Sequence, residues 1–203
     1  MTTPLVRLAE VAHIAQGMGL TGRAAGAREG NWAVRVASVG DIQDDRLRVD
    51  ALEARQIDRN VKTEKHLLQP DDVLVTARSS AYKAALVPPS ETHTVADATL
   101  LVVRSKQPDL GPYLWWYLTA PPGREQALAR MTSVGVPALT AASLGELELP
   151  LPGPAELRHL TMLIETTEQA YAAAMEAAHL RRTLYRDAIV ARLLARTAHG
   201  ESE

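Results

Sequence analysis

The first 150 residues alternate short apolar runs with clusters of Gly, Pro and polar residues. An apolar residue at every second position is typical of half-buried strands, and a Pro in the first turn favours the start of a helix. This mixture predicts an α/β (α+β) globular domain over residues 1–150. The predicted strands are Trp32–Val39, Asp72–Ala77, Ala84–Pro88, Asp97–Arg104 and Glu146–Leu151, and the predicted helices are Pro112–Leu118 and Gly123–Met131, with a turn at Thr140–Leu144.

A different pattern begins after three alternate prolines, Pro150, Pro152 and Pro154. Proline cannot continue a strand ladder or occupy a helix interior, but it is well suited to a helix start. From Ala155 to Ala198 the chain contains neither Pro nor Gly and is rich in the helix formers Ala, Leu, Glu and Arg. Residues 155–198 are therefore predicted to form one nearly continuous helix, about 65 Å long at 1.5 Å per residue. This helix and a short disordered tail make up the predicted C-terminal unit, residues 151–203.

The first half of this predicted helix carries apolar and small side chains at alternating intervals of three and four residues. Such a heptad pattern predicts a coiled coil, and a helix lying on the surface of its own domain is the alternative. Because the sequence contains one helix of this length, we expect its partner to be a helix of another chain. The residues predicted to mediate dimerisation are Leu157, Leu160, Ile164, Tyr171, Ala174 and Ala178.

Composition narrows the classes of function. Hydrophobic residues make up 46% of the 203 positions and charged residues 23%, which is typical of a globular protein, and the absence of Cys excludes disulfides and thiolate metal sites. No apolar stretch is long enough to span a membrane and no signal-peptide pattern is present, so we expect a soluble cytoplasmic protein. The net charge of −2 means that polyanion binding would need local patches. Of the 22 basic residues 18 are Arg, which suits phosphates and guanine edges, although a GC-rich genome explains the same bias.

The sequence contains none of the familiar catalytic or metal-binding motifs. Its six His residues lie outside zinc-ligand spacings, and the phosphate-binding loop, the dinucleotide-binding glycines and Gly-x-Ser-x-Gly are all missing. No Glu-x-Lys or Asp-x-Lys follows Pro70-Asp71, as a magnesium-dependent nuclease would need. We therefore predict no catalytic residues, no bound metal and no cofactor, and the sequence disfavours an enzyme that acts alone.

Three polar loops are candidates for contacts with nucleic acid. Arg78–Lys83 combines cations, hydroxyls and an aromatic ring, which suit phosphates and base edges, although an ordinary polar turn explains this segment equally well. Thr132–Pro137 and the Gly-rich segment Gly17–Asn31 are further candidates, with a plain connector and a disordered loop as their alternatives. The predicted DNA-binding residues are Arg78, Ser79, Ser80, Tyr82, Lys83, Thr132 and Ser133, followed by Arg23 and Arg28.

Five segments carry a resemblance to a known family. They are VRLAEVAHIAQG (6–17), VRVASVGDIQDDRL (34–47), LLQPDDVLVTARSSAYKAALVP (67–88), PYLWWYLTAPPGREQ (112–126) and SVGVPALTAASLGELELPLPGPAEL (133–157). In this order and spacing they resemble the DNA specificity subunits of type I restriction–modification systems, and the last 45 residues resemble the spacer helix of that family. The sequence departs from the family pattern at Asp71 and Ser79, where Gly is usual. It also departs in length, since a full subunit has two recognition domains and two helices.

The resemblance implies a role in specificity and not in chemistry. The recognition domain of the family binds one half of a bipartite site on double-stranded DNA, its spacer helices pair antiparallel, and separate modification subunits methylate adenine. For this chain the resemblance implies a non-catalytic specificity subunit that forms a homodimer through its C-terminal helix and binds a methyltransferase subunit. The alternative function is a helical interaction protein that assembles methyltransferase partners without binding DNA itself.

Overall fold

The computed structural model describes residues 3–20, 32–89, 93–132 and 135–200, with side chains as far as residue 194. Contacts between residues divide the chain into two compact units, Met1–Thr161 and Met162–Glu203. A mixed α/β unit followed by a long C-terminal helix confirms the predicted fold class. The domain boundary predicted between residues 150 and 151 stays a prediction, since the long helix begins at Pro154 and contributes its first turns to the first unit.

Short strands and helices build the first unit, together with single-turn 3-10 helices at Val39–Asp41 and Val49–Ala51. The strands are β1 Leu5–Arg7, β2 Ala12–Gln16, β3 Trp32–Ala37, β4 Ile42–Gln43, β5 Arg46–Leu47, β6 Glu53–Ile57, β7 Val73–Thr76, β8 Ala84–Leu86, β9 Thr94–Ala96, β10 Leu100–Ser105 and β11 Glu148–Pro150. The helices are α1 Leu8–Val11, α2 Val61–Glu64, α3 Gly111–Thr119, α4 Pro121–Ala129, α5 Ala141–Gly145 and α6 Pro154–Gly200.

Within the described residues the strands form a six-stranded sheet, a three-stranded sheet and a two-stranded ribbon. Their orders are β2-β10-β7-β8-β5-β4, β6-β3-β9 and β1-β11, and the pairs are antiparallel except β5 with β8 and β3 with β9. Val73, Leu74 and Val75 are wholly buried because β7 lies between β10 and β8. Burial on both faces explains why the sequence of β7 is apolar at consecutive positions and does not alternate.

Differences between predicted and observed elements have local causes. The strand predicted from Asp97 begins at Leu100, because the Asp97 carboxylate accepts a hydrogen bond from the Thr99 amide (2.9 Å) and holds a turn. The turn predicted at Thr140–Leu144 is the helix α5, since the Thr140 hydroxyl accepts from the Ser143 amide (3.1 Å) as an N-cap. The sequence pattern did not predict six of the described short strands, which are β1, β2, β4, β5, β6 and β9.

Helix α3 packs one face against the interior of the first unit. Leu110, Leu114 and Leu118, spaced four residues apart, are at most 1% exposed. Tyr113 on the same helix donates its hydroxyl hydrogen to the carbonyl of Pro150 (2.6 Å), and burial raises the pKa of Tyr113 to about 12. The helix therefore ties the large sheet to the end of β11, just before α6 begins.

The first turns of α6 are held within the first unit. Thr161 Oγ1 donates a hydrogen bond to the carbonyl of Asp109 (3.0 Å), Leu157 is 6% exposed, and Leu160 is half-buried. The sequence predicts Leu157 as a dimerisation residue. Its side chain is covered inside its own unit, and its part in dimerisation stays a prediction.

Candidate nucleic-acid interface

Two of the predicted DNA-binding loops lie side by side. Arg78 pairs with Ala138 in an isolated antiparallel bridge, and the Leu139 amide donates to the carbonyl of Ala77 (2.9 Å). The Ser79 amide also donates to the carbonyl of Pro137 (3.3 Å). These backbone bonds join the turn after β7 to the segment before α5, although more than 50 residues separate them in the sequence.

A third segment completes the same edge of the unit. The amides of Ala77 and Arg78 both donate to the carbonyl of Thr99 (2.7 and 3.2 Å), which belongs to the turn between β9 and β10. On the other side of this turn, the Met18 amide donates to the carbonyl of Ala96 (2.7 Å). We call the surface formed by Arg78–Ser80, Asp97–Thr99, Thr132 and Gly135–Ala138 the loop edge.

The third predicted loop starts beside the loop edge at a position that only glycine can occupy. A Cβ atom on Gly17 would lie 2.0 Å from the carbonyl oxygen of Asp97 and 2.8 Å from that of Ala96. The loop predicted at Gly17–Asn31 therefore leaves the sheet directly beside the Asp97–Thr99 turn. Arg23 and Arg28 of this loop, and Ser133, lie outside the described residues.

The loop edge presents one guanidinium and several hydroxyl groups to solvent. Arg78 and Ser80 are exposed, and within the described part of the chain neither side chain makes a hydrogen bond or an ion pair. The Ser79 hydroxyl accepts from the Ala81 amide (3.2 Å), so its own hydrogen can still be donated. Thr132 is exposed, and its hydroxyl accepts from the Ala138 amide (3.2 Å). These groups have the chemistry required for contacts with phosphates and with guanine.

The end of the Arg78–Lys83 loop faces the protein interior. Tyr82 is 4% exposed, and its hydroxyl donates to the carbonyl of Leu118 (3.1 Å). Arg124 lies over the ring at 5.8 Å and donates to the Tyr82 carbonyl (3.2 Å). Burial raises the pKa of Tyr82 far above that of a free tyrosine, so the phenol stays neutral. The structure thus gives Tyr82 an anchoring position, which differs from the DNA-facing position expected from the sequence.

Lys83 is likewise engaged by the protein. Its ammonium group donates to the carbonyls of Val39 (3.2 Å) and Ile42 (2.7 Å), beside the 3-10 helix that follows β3. The two carbonyls occupy two of its three donor hydrogens. Lys83 therefore fixes the last residue of the loop to a neighbouring turn.

Sequence reasoning missed the residues that support the loop edge from below. Thr76 Oγ1 accepts from the Lys83 amide (2.9 Å) and closes the hairpin between β7 and β8. Thr99 Oγ1 accepts from the Val39 amide (3.0 Å) and donates to the Asp97 carboxylate. The pattern Asp-x-Thr after a strand is a signal for such a turn, since Asp side chains readily bond to the backbone two residues ahead.

The opposite end of β7 carries an ion pair between Asp72 and Arg104. Asp72 is 1% exposed and accepts from Arg104 Nε (2.8 Å), from Arg104 Nη2 (2.6 Å) and from the Gln69 amide (2.7 Å). This hydrogen bonding raises the pKa of Arg104. A cavity of about 260 Å³ lies beside the pair, lined by Asp71, Lys106 and Asp109 among others. The pair is structural, because every oxygen of the Asp72 carboxylate already has a donor.

The described side chains offer no cluster of metal ligands. Among residues 3–20, 32–89, 93–132 and 135–194, no three His, Asp or Glu side chains lie close enough together to hold a metal ion. None of the helices in these described ranges is long and apolar enough to cross a membrane. The loop edge is thus the best-defined candidate site of the first unit.

Comparison with solved structures establishes the fold. A chain of a type I R-M system, solved for its complex assembly and conformational transition, matches 86% of this chain with a TM-score of 0.61 and 20% identity. The HsdS subunit from Thermoanaerobacter tengcongensis matches 84% (TM-score 0.53, 20% identity), and the type I S subunit from M. genitalium matches 83% (TM-score 0.56, 12% identity). No family model and no curated protein matches the sequence.

The chain spans 40%, 38% and 42% of the lengths of these three solved chains. At these identities the likeness shows a shared fold, which includes the α/β unit and the long helix. The resemblance inferred from the five sequence segments is therefore confirmed at the level of fold.

Proposed function

We propose that this chain is the DNA-recognition component of a type I restriction–modification assembly and has no catalytic role of its own. The observation that carries the proposal is the loop edge, where segments distant in sequence present a free Arg78 and several hydroxyls on one surface. The shared fold with specificity subunits supports the same function. In this proposal each chain binds one half of a bipartite site on double-stranded DNA.

Contacts with DNA fall to different groups of the loop edge. The Arg78 guanidinium forms the bidentate contact with the N7 and O6 atoms of guanine, the commonest specific contact of the major groove. Ser79, Ser80 and Thr132 donate to phosphates and fix the position of the unit on the duplex. Arg23, Arg28 and Ser133, which lie outside the described residues, are further proposed contacts with DNA. Tyr82 and Lys83 act by holding the loop, because their polar atoms are bonded to protein carbonyls.

The assembly contains two further kinds of partner. A methyltransferase subunit supplies the modification of adenine, in line with the complex assembly described for one of the similar structures. A second copy of this chain binds through α6, whose apolar residues Tyr171, Met175, Tyr185 and Ile189 are 46–66% exposed. Such an assembly acts on cellular DNA, so the proposed location is the cytoplasm.

A helical scaffold without DNA binding is the second candidate. It is favoured by the net charge of −2 and by the length of exposed apolar surface along α6. The two candidate functions differ in the role of Arg78, because a scaffold that does not bind DNA does not require an exposed guanidinium at the loop edge.

Selection from a pool of randomised DNA duplexes tests the proposed function. The full chain, with its methyltransferase subunit, should enrich one sequence, and affinity should fall steeply with salt. Arg78→Ala should cost about 1–3 kcal/mol of discrimination at one base position. Arg55→Ala is the matched control, since Arg55 is an exposed arginine of β6 whose charge is balanced by Glu53. Equal binding of all sequences by wild type and Arg78→Ala would favour the scaffold.

A further inference from the structure

An amide side chain outside the proposed set of DNA contacts lies beside the loop edge. Gln16 is the last residue of β2, it is exposed, and it directly precedes the glycine at which the predicted loop Gly17–Asn31 begins. Its Nε2 atom donates a hydrogen bond to the carbonyl of Ala98 (3.0 Å), a residue of the Asp97–Thr99 turn. The side chain is therefore attached to the loop edge across 82 residues of sequence.

Gln16 and Arg78 lie on the two sides of the same turn. In the six-stranded sheet β10 runs between β2 and β7, and Leu101 of β10 pairs with Gln16 on one side and with Val75 on the other. The Arg78 amide donates to the carbonyl of Thr99 (3.2 Å), next to the carbonyl that accepts from Gln16. Neighbouring strands lie about 4.8 Å apart, so about 10 Å separates β2 from β7, the length of about three base pairs.

The hydrogen bond to Ala98 fixes the direction in which the amide points. A carbonyl oxygen only accepts, so the atom of Gln16 that faces it is the nitrogen and not the oxygen. Within the described part of the chain, Oε1 of Gln16 and the second hydrogen of Nε2 have no partner. An acceptor and a donor of an exposed side chain are thus held next to each other, in an orientation set by the turn.

This pair of groups is complementary to one base. In the major groove adenine presents an acceptor, N7, beside a donor, the N6 amino group, whereas guanine presents two acceptors, and cytosine and thymine each present a single polar group. The amide of a glutamine pairs with adenine through both of its groups, as the guanidinium of Arg78 pairs with guanine. The hydroxyls of the loop edge bond to either kind of base and do not make this distinction.

We propose that Gln16 is a specificity-determining residue that binds adenine, about three base pairs from the guanine bound by Arg78. The inference rests on the proposed function and deepens it, since it assigns a different base to each side of the Asp97–Thr99 turn. Gln16 also supports this turn through its bond to Ala98. Its test therefore has to separate a base contact from support of the loop.

Selection from randomised duplexes, made with the full chain and its methyltransferase subunit, measures the preference at every base position. Gln16→Met keeps the length of the side chain and removes both polar groups. It should lower the preference for adenine at one position about 5- to 150-fold, which is the discrimination supplied by one bidentate pair, and leave the guanine position unchanged. Gln56→Met is the matched control, because Gln56 is an exposed glutamine of β6 in the three-stranded sheet.

A modified base makes the test specific to single atoms. Each adenine of the selected sequence is replaced in turn by 7-deazaadenine, which lacks the N7 acceptor. At one position the replacement should weaken binding by wild type about two- to tenfold, the loss of one hydrogen bond. Gln16→Met should bind this modified duplex and the normal duplex equally. The same loss in both proteins would show that Gln16 only supports the turn, which contradicts the proposal.

The outcomes distinguish this inference from the proposed function. Loss of the guanine preference in Arg78→Ala, with all preferences unchanged in Gln16→Met, would retain DNA recognition and overturn the role of Gln16. A uniform loss of preference at every position in Gln16→Met would also overturn it. Wild type that binds every 7-deazaadenine duplex as tightly as the normal one would refute the adenine contact without the use of any variant. Wild type that enriches no sequence would refute both proposals.

Discussion

At the scale of single residues, Asp71 occupies a position that suits glycine better. Its φ angle of 66° lies in the left-handed region, which costs a residue with a Cβ atom about 1 kcal/mol relative to glycine. Its carboxyl group also lies in an unfavourable field. Although the residue as a whole is exposed, partial desolvation of its carboxyl group, followed by the charges of Asp109 and Asp72, raises the pKa of Asp71. The backbone conformation disfavours any residue with a Cβ atom at position 71, and the electrostatic field disfavours the ionised carboxylate.

Replacement of Asp71 should therefore stabilise the protein. Asp71→Gly is expected to raise the free energy of unfolding by about 0.5–1 kcal/mol, less than the full backbone term because glycine also loosens the unfolded chain. Asp71→Asn removes the charge but keeps the Cβ atom, so it measures the effect of the charge alone. A raised folded pKa favours folding below the unfolded pKa, and this contribution is lost as the pH rises through the folded pKa. The free energy of unfolding of Asp71→Asn, measured by urea denaturation, should therefore exceed that of wild type by more at pH 7 than at pH 4.

Asp44→Asn is the control for this comparison, because Asp44 is also exposed and left-handed, with a φ angle of 49°. A gain of the same size at both pH values for Asp71→Asn would show that charge plays no part. A loss of stability in Asp71→Gly would contradict the backbone argument.

Gly17 provides the opposite case, a glycine required by close packing. A Cβ atom there would approach the Asp97 carbonyl oxygen to 2.0 Å, so Gly17→Ala must displace backbone. We expect a loss of about 2–3 kcal/mol in the free energy of unfolding and weaker DNA binding, since the Asp97–Thr99 turn belongs to the loop edge. Gly19→Ala is the matched control, because nothing lies within 4 Å of its added Cβ. Equal stability of the two variants would contradict this account.

At the scale of elements, the strands and helices that the sequence predicts are those with a clear local pattern of apolar residues or helix formers. The buried runs of β7 and β10 could be predicted because consecutive apolar residues indicate a buried strand. Helix α6 could be predicted because Ala155–Ala198 contains neither Pro nor Gly. Strand β6, whose sequence EARQI is mostly exposed, has no such pattern and exists because it pairs with β3. Strands β4 and β5, of two residues each, are too short to show any period.

The candidate site shows the same division. The polar segment Arg78–Lys83 could be predicted as a loop, and Arg78 and Ser80 are indeed exposed. Its pairing with Pro137 and Ala138 could not, because backbone bonds between distant segments leave no mark on residue types. The polar neighbours of Tyr82 in the sequence predict a surface position. Its hydroxyl instead donates to the carbonyl of Leu118, and this acceptor lies 36 residues away in the sequence.

Tyr82→Phe tests whether this residue supports the loop or contacts DNA. Loss of the hydroxyl leaves the Leu118 carbonyl without its donor and should lower the free energy of unfolding by about 1 kcal/mol. The sequence preference in DNA selection should be unchanged, because the ring still fills its buried position. A shifted preference at a single base position, with stability intact, would instead return Tyr82 to the DNA-contacting residues.

At the scale of the whole molecule, the antiparallel homodimer that the resemblance implies would determine the symmetry of the DNA target. A two-fold axis makes the two recognition units identical and inverted relative to each other, so both bind the same half-site on opposite strands. The target should therefore be a palindrome interrupted by bases that are not recognised. Ile189→Asp should divide the dimer without harming the fold, because Ile189 is 58% exposed and lies beyond the first unit. Leu160 is less suitable for this purpose, since it is half-buried within the first unit.

Selection of duplexes by wild type and Ile189→Asp should separate the two halves of the target. Wild type should enrich inverted repeats at one fixed spacing, and the variant should enrich single half-sites with a smaller salt dependence, because fewer phosphates are contacted by one unit. Enrichment of an asymmetric bipartite site by wild type would rule out the symmetric dimer and indicate pairing with a different recognition chain. Unchanged inverted repeats in a monomeric variant would show that another subunit, and not α6, sets the distance between the half-sites.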